Sequence, residues 1–169
     1  GGVGVPIADL MRELRLTHGG FYRHFRGKEQ LFEEALLASL AQAAAKMKAA
    51  AERAPAGHEL EAIITAYLSA EHCANPADGC PVAALAAEIA RLGKSTRAAL
   101  DRALRDHAAA LSRFMPGDSS AERKRTAMVL FAGMAGALNL ARAAADESLR
   151  QAILEDARAF YVRILCQRS

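Results

Sequence analysis

Between residues 16 and 28 the sequence reads Leu16-Thr17-His18-Gly19-Gly20-Phe21-Tyr22-Arg23-His24-Phe25-Arg26-Gly27-Lys28, a set of side chains suited to gripping a polyanion. On a helix Phe21 and Phe25 stand four apart and turn to one face, so the segment buries two aromatics on one side. The other side carries Thr17, His18, Arg23 and His24, with Tyr22 at its edge, and no side chain at Gly19 and Gly20. Two glycines inside a helix cost roughly 1 kcal/mol each relative to alanine, so a partner that approaches the backbone closely would give them a use. Thr17 is placed to cap this helix. A capped N-terminus with small or polar first residues is the form in which a recognition helix enters a DNA major groove. Between Arg12 and Lys28 five basic residues (Arg12, Arg15, Arg23, Arg26, Lys28) stand against Glu13 alone, a local balance of +4, whereas the whole chain carries +3. Such concentration fits a phosphate-contacting head on a near-neutral body. A solvated charged face has the same composition, and only the surrounding motif separates the two.

That motif is Val5-Pro6-Ile7-Ala8-Asp9-Leu10-Met11, then Leu16 to Phe25, then Lys28-Glu29-Gln30-Leu31-Phe32. It resembles the helix-turn-helix of the TetR-type bacterial transcriptional regulators, and the resemblance runs from Val3 to Leu36. Its most specific part is the spacing of Tyr22, His24, Phe25 and Lys28. The resemblance implies a DNA-binding repressor that holds a palindromic operator in double-stranded DNA as a dimer and is released by a small-molecule effector. Thr17, His18, Gly19 and Gly20 would then meet base edges or the adjacent backbone, and Tyr22, His24 and Lys28 would hold phosphates. There are two departures from the family pattern. Family members usually open with a further helix and often a basic arm, whereas this chain begins at Gly1-Gly2-Val3-Gly4, so the head is expected without that first helix. The turn of the motif usually holds a glycine where this chain has Arg15, a residue that disfavours positive φ.

The elements that must position the motif read as helices throughout, with no strand-period segment and no internal repeat, so the expected class is all-α. Residues 1–45 form a helix-turn-helix head with the start of a connecting helix, and residues 46–169 a helical effector-binding and dimerisation domain. Pro6 to Leu14 presents Ile7, Leu10, Met11 and Leu14 to Phe21 and Phe25. A long helix runs from Lys28 to about Arg53 and stops at Ala54-Pro55-Ala56-Gly57. Glu59 to about Ala74 is amphipathic, and Pro81 opens a helix that Gly93 closes. Ser95 opens the next, with Leu100, Leu104, His107, Leu111 and Phe114 on one stripe. Ser119-Ser120-Ala121-Glu122 is a capping box for a helix that is apolar on all sides from Thr126 to Ala141 and so needs cover on all sides. In that run Ala132, Gly133, Gly136 and Ala137 would let a neighbouring backbone come close. Ser148 to Cys166 completes the chain. The last two helices expose more apolar surface than a body of this size readily buries, which predicts a homodimer through them; burial inside one chain is the alternative. In the family, these two helices form a four-helix dimer contact. Two recognition helices about 34 Å apart then read a two-fold site.

Asp78-Gly79-Cys80-Pro81-Val82 through Glu88 resembles a stretch found in one branch of the same regulators, whose effector pockets lie among the middle helices. By spacing, the pocket candidates are Tyr67, Leu85, Leu104, His107, Leu111, Phe114, Met128 and Phe131, although ordinary core packing is the commoner role of such residues. Cys80, directly before Pro81, sits where helix amides and dipole favour a thiolate. Pro76 and Gly79 predict partial access to it, and Cys73 is a candidate resolving partner. Redox or electrophile sensing at Cys80 is therefore the alternative function; a small apolar residue in a turn is the plain reading. His72, Cys73 and Cys80 do not make a metal site, because adjacent side chains diverge on a helix and a fourth ligand is not evident. The sequence has no Gly-rich phosphate loop, serine elbow or metal-ligand pattern, so no enzyme, metal or cofactor is expected. A helical interaction module without DNA binding is a third reading. No signal peptide opens the chain, the run from Thr126 to Ala141 is short and glycine-rich for a bilayer span, and three cysteines suit a reducing compartment. The expected place is the cytoplasm, with no membrane partner.

Overall fold

The computed structural model of the chain describes residues 6–13 and 18–167, and every regular element among them is helical. The first two, α1 (Ile7–Glu13) and α2 (His18–His24), pack on each other. Leu14, Arg15, Leu16 and Thr17 lie outside the described residues, and with them the expected cap and turn. The third helix, α3 (Lys28–Arg53), runs 26 residues without an internal glycine or proline and packs on the helices of the body. Its end follows from Pro55: the residue before a proline is pushed out of the helical region, and Ala54 is extended at φ −77°, ψ 150°.

The single helix expected from Glu59 to Ala74 is two helices, α4 (Glu59–Tyr67) and α5 (Ala70–Ala74). Ser69 causes the break. It is extended, and its hydroxyl accepts the His72 backbone N–H at 3.1 Å, an N-cap that competes with helix continuation. The carbonyl of Tyr67, which loses a helical partner there, is taken by the His72 ring at 2.7 Å. A short 3₁₀ turn (Pro76–Asp78) leads to α6 (Pro81–Ile89), which ends before Gly93. Gly93 instead becomes the N-cap of α7 (Lys94–Leu111). A second 3₁₀ turn (Ser112–Phe114) precedes α8 (Ser120–Ala143), and α9 (Glu147–Cys166) follows. The expected Ser119 cap is present, its hydroxyl accepting the Glu122 N–H at 3.1 Å. The Glu122 carboxylate closes on the Asp118 N–H rather than on that of Ser119.

The core centres on α4 and α8 and takes in buried residues of α3, α5, α6, α7 and α9, with Ile63, Ile64, Leu68, Leu130, Met134 and Leu138 each at most 1 % exposed. α8 has the length and hydropathy of a membrane span. Its stripe through Ala127, Leu130, Met134, Leu138 and Ala141 is nevertheless buried inside the body. Cover on all sides is not what the single chain provides: on the opposite face of α8, Val129 and Leu140 are 69 % and 65 % exposed. On α9, Leu149, Phe160 and Ile164 are exposed as well. Positions 129, 136 and 140 recur near a helical period, so this is one stripe. The small residues of α8 divide accordingly. The Tyr161 ring of α9 fills the place a Cβ at Gly133 would take, whereas a Cβ at Gly136 would meet nothing within 4 Å.

Candidate nucleic-acid interface and interior pocket

Phe21 fixes the orientation of α2. It is 2 % exposed, its ring lies 5.4 Å from that of Phe25, and Met11 of α1 is buried with it. With Phe21 turned inward, Tyr22, Arg23 and His24 are all exposed. Tyr22 is 56 % exposed even though its ring stands edge-on to Phe21 at 5.1 Å, so a large aromatic with a hydroxyl is left at the surface. Gly20 is half-buried; His18 and Gly19 form the start of the helix. Lys28, half-buried, opens α3 just beyond. The charge count along the motif needs one revision. Arg12 is paired with Asp9 at 2.8 Å, an acid just outside the counted stretch, so the basic character belongs to α2 and the α2–α3 turn.

In the body, Tyr67, Leu111 and Phe131 are buried, while Leu85, Leu104, His107, Phe114 and Met128 are half-buried. The Phe131 ring lies 6.1 Å from that of Tyr67 and 4.3 Å from that of His107. The Tyr67 hydroxyl and His107 Nε2 are buried with no hydrogen-bond partner among the described residues. Burial raises the Tyr67 hydroxyl far above an ordinary phenol. The Cys80 thiol, close by without a hydrogen bond of good geometry, adds to that rise. Burial also lowers the His107 imidazole.

Of the pocket candidates Tyr67 lines a cavity of about 250 Å³, shared with Lys46, Met47, Ser69, His72 and Gly79. The cavity's anchors were not foreseen. The Nδ1–H of His72 donates to the Tyr67 carbonyl, and its Nε2 accepts the Cys80 N–H at 3.1 Å, so both ring nitrogens are committed and the ring is neutral. Desolvation first, then the Arg142 and Lys46 charges, lower its basicity, against an opposing contribution from the Tyr67 carbonyl. Arg142 donates to the carbonyls of His72 at 2.8 Å and Cys73 at 3.2 Å, closing the C-terminal end of α5. Its Nη1 is buried without a partner among the described residues. A side chain at Gly79 would collide with Arg142 Nη2 and His72 Nε2, so the approach of these three segments requires a glycine there. The only sequence signal for Arg142 was its position as the first charge after the apolar run of α8. A second hollow of about 570 Å³, between α5, α8 and α9, is lined by Cys73, Arg142, Arg150 and Leu154 among others.

Partial access to Cys80 is overturned. Cys80 is 1 % exposed and Cys73 5 %, because the turn carrying Pro76 and Gly79 folds back onto His72 and Arg142. Both are free thiols, and no group of three metal-ligating side chains forms among the described residues.

Residues 2–35 match the model of a family described as bacterial regulatory proteins, tetR family. Among solved structures, the reduced form of E. coli NemR is similar, with a TM-score of 0.74 at 24% sequence identity, over 98% of this chain and 88% of that one. At that identity the likeness is one of fold. No curated protein sequence matches the chain.

Proposed function

We propose that this TetR-type regulator holds a palindromic operator in double-stranded DNA as a homodimer, acts as a repressor, and lets go when a small-molecule effector enters its helical body. The observation that carries the DNA reading is α2, packed inward through Phe21 and presenting Tyr22, Arg23 and His24 to solvent beside Lys28. In this reading Thr17, His18, Gly19 and Gly20 meet base edges or the adjacent backbone, and Tyr22, His24 and Lys28 hold phosphates. The homodimer reading draws its support from the bare apolar stripe of Val129, Leu140, Leu149, Phe160 and Ile164. Two copies related by a two-fold axis would cover it as a four-helix contact. For the effector, the Tyr67 hydroxyl and His107 Nε2, which have no hydrogen-bond partner among the described residues, offer polar contacts beside the apolar side chains of Leu85, Leu104, Leu111, Phe114, Met128 and Phe131. The head is residues 1–45, the body 46–169, and the site of action the cytoplasm.

A second reading keeps the DNA function and replaces the effector by oxidation or alkylation of Cys80, with Cys73 as resolving partner. The solved relative, described in its reduced form, is what favours it. The burial of both thiols makes it depend on opening of the segment between α5 and α6.

The test is binding to a palindromic duplex selected with this protein from a random pool, against the corresponding half-site, from about 50 to about 200 mM salt. The expected result is saturable binding of two chains per palindrome, weakening steeply with salt. Absence of any preference for the palindrome would refute the reading, and a helical interaction module would show no saturable DNA binding at all.

A further inference from the structure

We infer that Glu29 is a positioning residue for DNA binding: from the first turn of α3 its carboxylate caps the N-terminus of α7, and this contact sets the pose of the DNA-reading head on the body. The inference rests on the proposed DNA function. It begins from a deficit in α7. Where α8 and α9 are capped by the side chains of Ser119 and Asp146, α7 begins after Gly93, which has none to offer. Its first turn contains no acid, and Lys94 and Arg97 put positive charge at the positive end of the helix dipole. The missing anion comes from 64 residues away: the Gly93 N–H donates to Glu29 Oε1 at 3.0 Å. The Thr96 hydroxyl donates to the same oxygen at 3.3 Å, with Glu33 Oε2 at 3.5 Å. Thr96 is fully buried, and a buried hydroxyl needs a partner. Both acids that serve it lie on α3. A side chain at Gly93 would run into the Glu29 carboxylate, so any larger residue there would displace that carboxylate and disturb the contact.

Glu29 adjoins Lys28 and lies one turn beyond α2, so the contact ties the body to the part of the head that would meet DNA. The same contact has a route to the interior. The cavity wall at His72 holds the Cys80 N–H, α6 begins one residue later, and the turn after α6 ends at Gly93. A shift at the start of α6 therefore arrives at the Glu29 contact within nine helical residues and a short turn. Glu29 is itself exposed, so water competes for its carboxylate and the contact is reversible.

Two variants approach the contact from opposite sides, Glu29→Ala and Thr96→Val. Glu29 is exposed and valine matches threonine in shape, so both are expected to fold, as a circular dichroism melt would check. The readout is affinity for the selected palindrome and for the same duplex with one base pair added or removed between half-sites. If the contact sets the head's pose, both variants lose about fivefold or more at the selected spacing, within the usual range of coupling between sites. The preference among spacings flattens, while base preference within a half-site stays. Simple removal of a negative charge near phosphates would instead raise affinity for Glu29→Ala equally on all duplexes, and Thr96→Val leaves every charge in place. Equal changes on all spacings, or wild-type behaviour of both variants, would overturn the role. If the unaltered protein binds no palindrome, the DNA reading itself fails, and this role with it.

Discussion

Replacing Gly136 by glutamate separates the folding of one chain from the assembly of two. In the single chain Gly136 is exposed, and a Cβ added there meets nothing within 4 Å. The new side chain would project into water, and leaving glycine inside α8 would gain about 1 kcal/mol of helix propensity. The same position lies on the stripe between Val129 and Leu140, the surface assigned to the partner. Two-fold symmetry would bury two carboxylates there. Taking about 3 kcal/mol for each unpaired buried charge gives about 6 kcal/mol, or roughly a 10⁴-fold rise in the dimer Kd. Light scattering at a concentration where the parent protein is a dimer should find the variant monomeric, with an unchanged or raised melting temperature. Binding to the palindrome should fall towards that of a half-site. A well-folded variant that still scatters as a dimer would refute the argument and move the interface off α8.

Lys28→Ala should weaken binding about equally on every sequence and reduce the salt slope by roughly 1, whereas His18→Ala should change the preferred base at one position per half-site. If both merely lower affinity, the assignment of His18 fails. His72 and His107 have lowered basicity in the fold, so between their folded values and about 6.5, the unfolded imidazole value, the unfolded chain binds more protons. Stability is therefore lost with acid: the melting temperature should fall from about pH 7.5 to about pH 5.5, less so in His72→Gln, and an acid-insensitive melt would contradict the neutral His72 ring. Cys80 and Cys73, being buried, should react with iodoacetamide slowly at neutral pH and rapidly once urea opens the chain; fast labelling of the native protein would contradict their burial.

What the sequence disclosed was local. The four-residue spacing of Phe21 and Phe25, the stop at Pro55 and the Ser119 cap are each decided by neighbours within a turn or two, and each is found in the structure. The break at Ser69 was hidden by the continuous apolar period from Leu60 to Leu68, because a capping serine reads like any polar residue on a helix's outer face. Contacts across the chain left no periodic trace. Arg142 reaches His72 over 70 residues, and Glu29 reaches Gly93 over 64. For α8 the composition told that it was apolar all round, but the side left bare depends on where α7 and α9 settle. The access expected at Cys80 failed for the same reason, since the chain that covers it is distant in sequence.

The unbroken length of α3 has a mechanical consequence. Lys46 and Met47 border the interior cavity while Lys28 stands at the other end, and 18 residues at 1.5 Å each make an arm of about 27 Å between them. A tilt of about 5° at the cavity end swings the Lys28 end by about 2.4 Å, comparable to the difference between a made and a lost phosphate hydrogen bond. Without a glycine or proline to absorb the bend, the helix would, under the proposed function, work as a lever and deliver a small displacement in the interior as a larger one at the DNA.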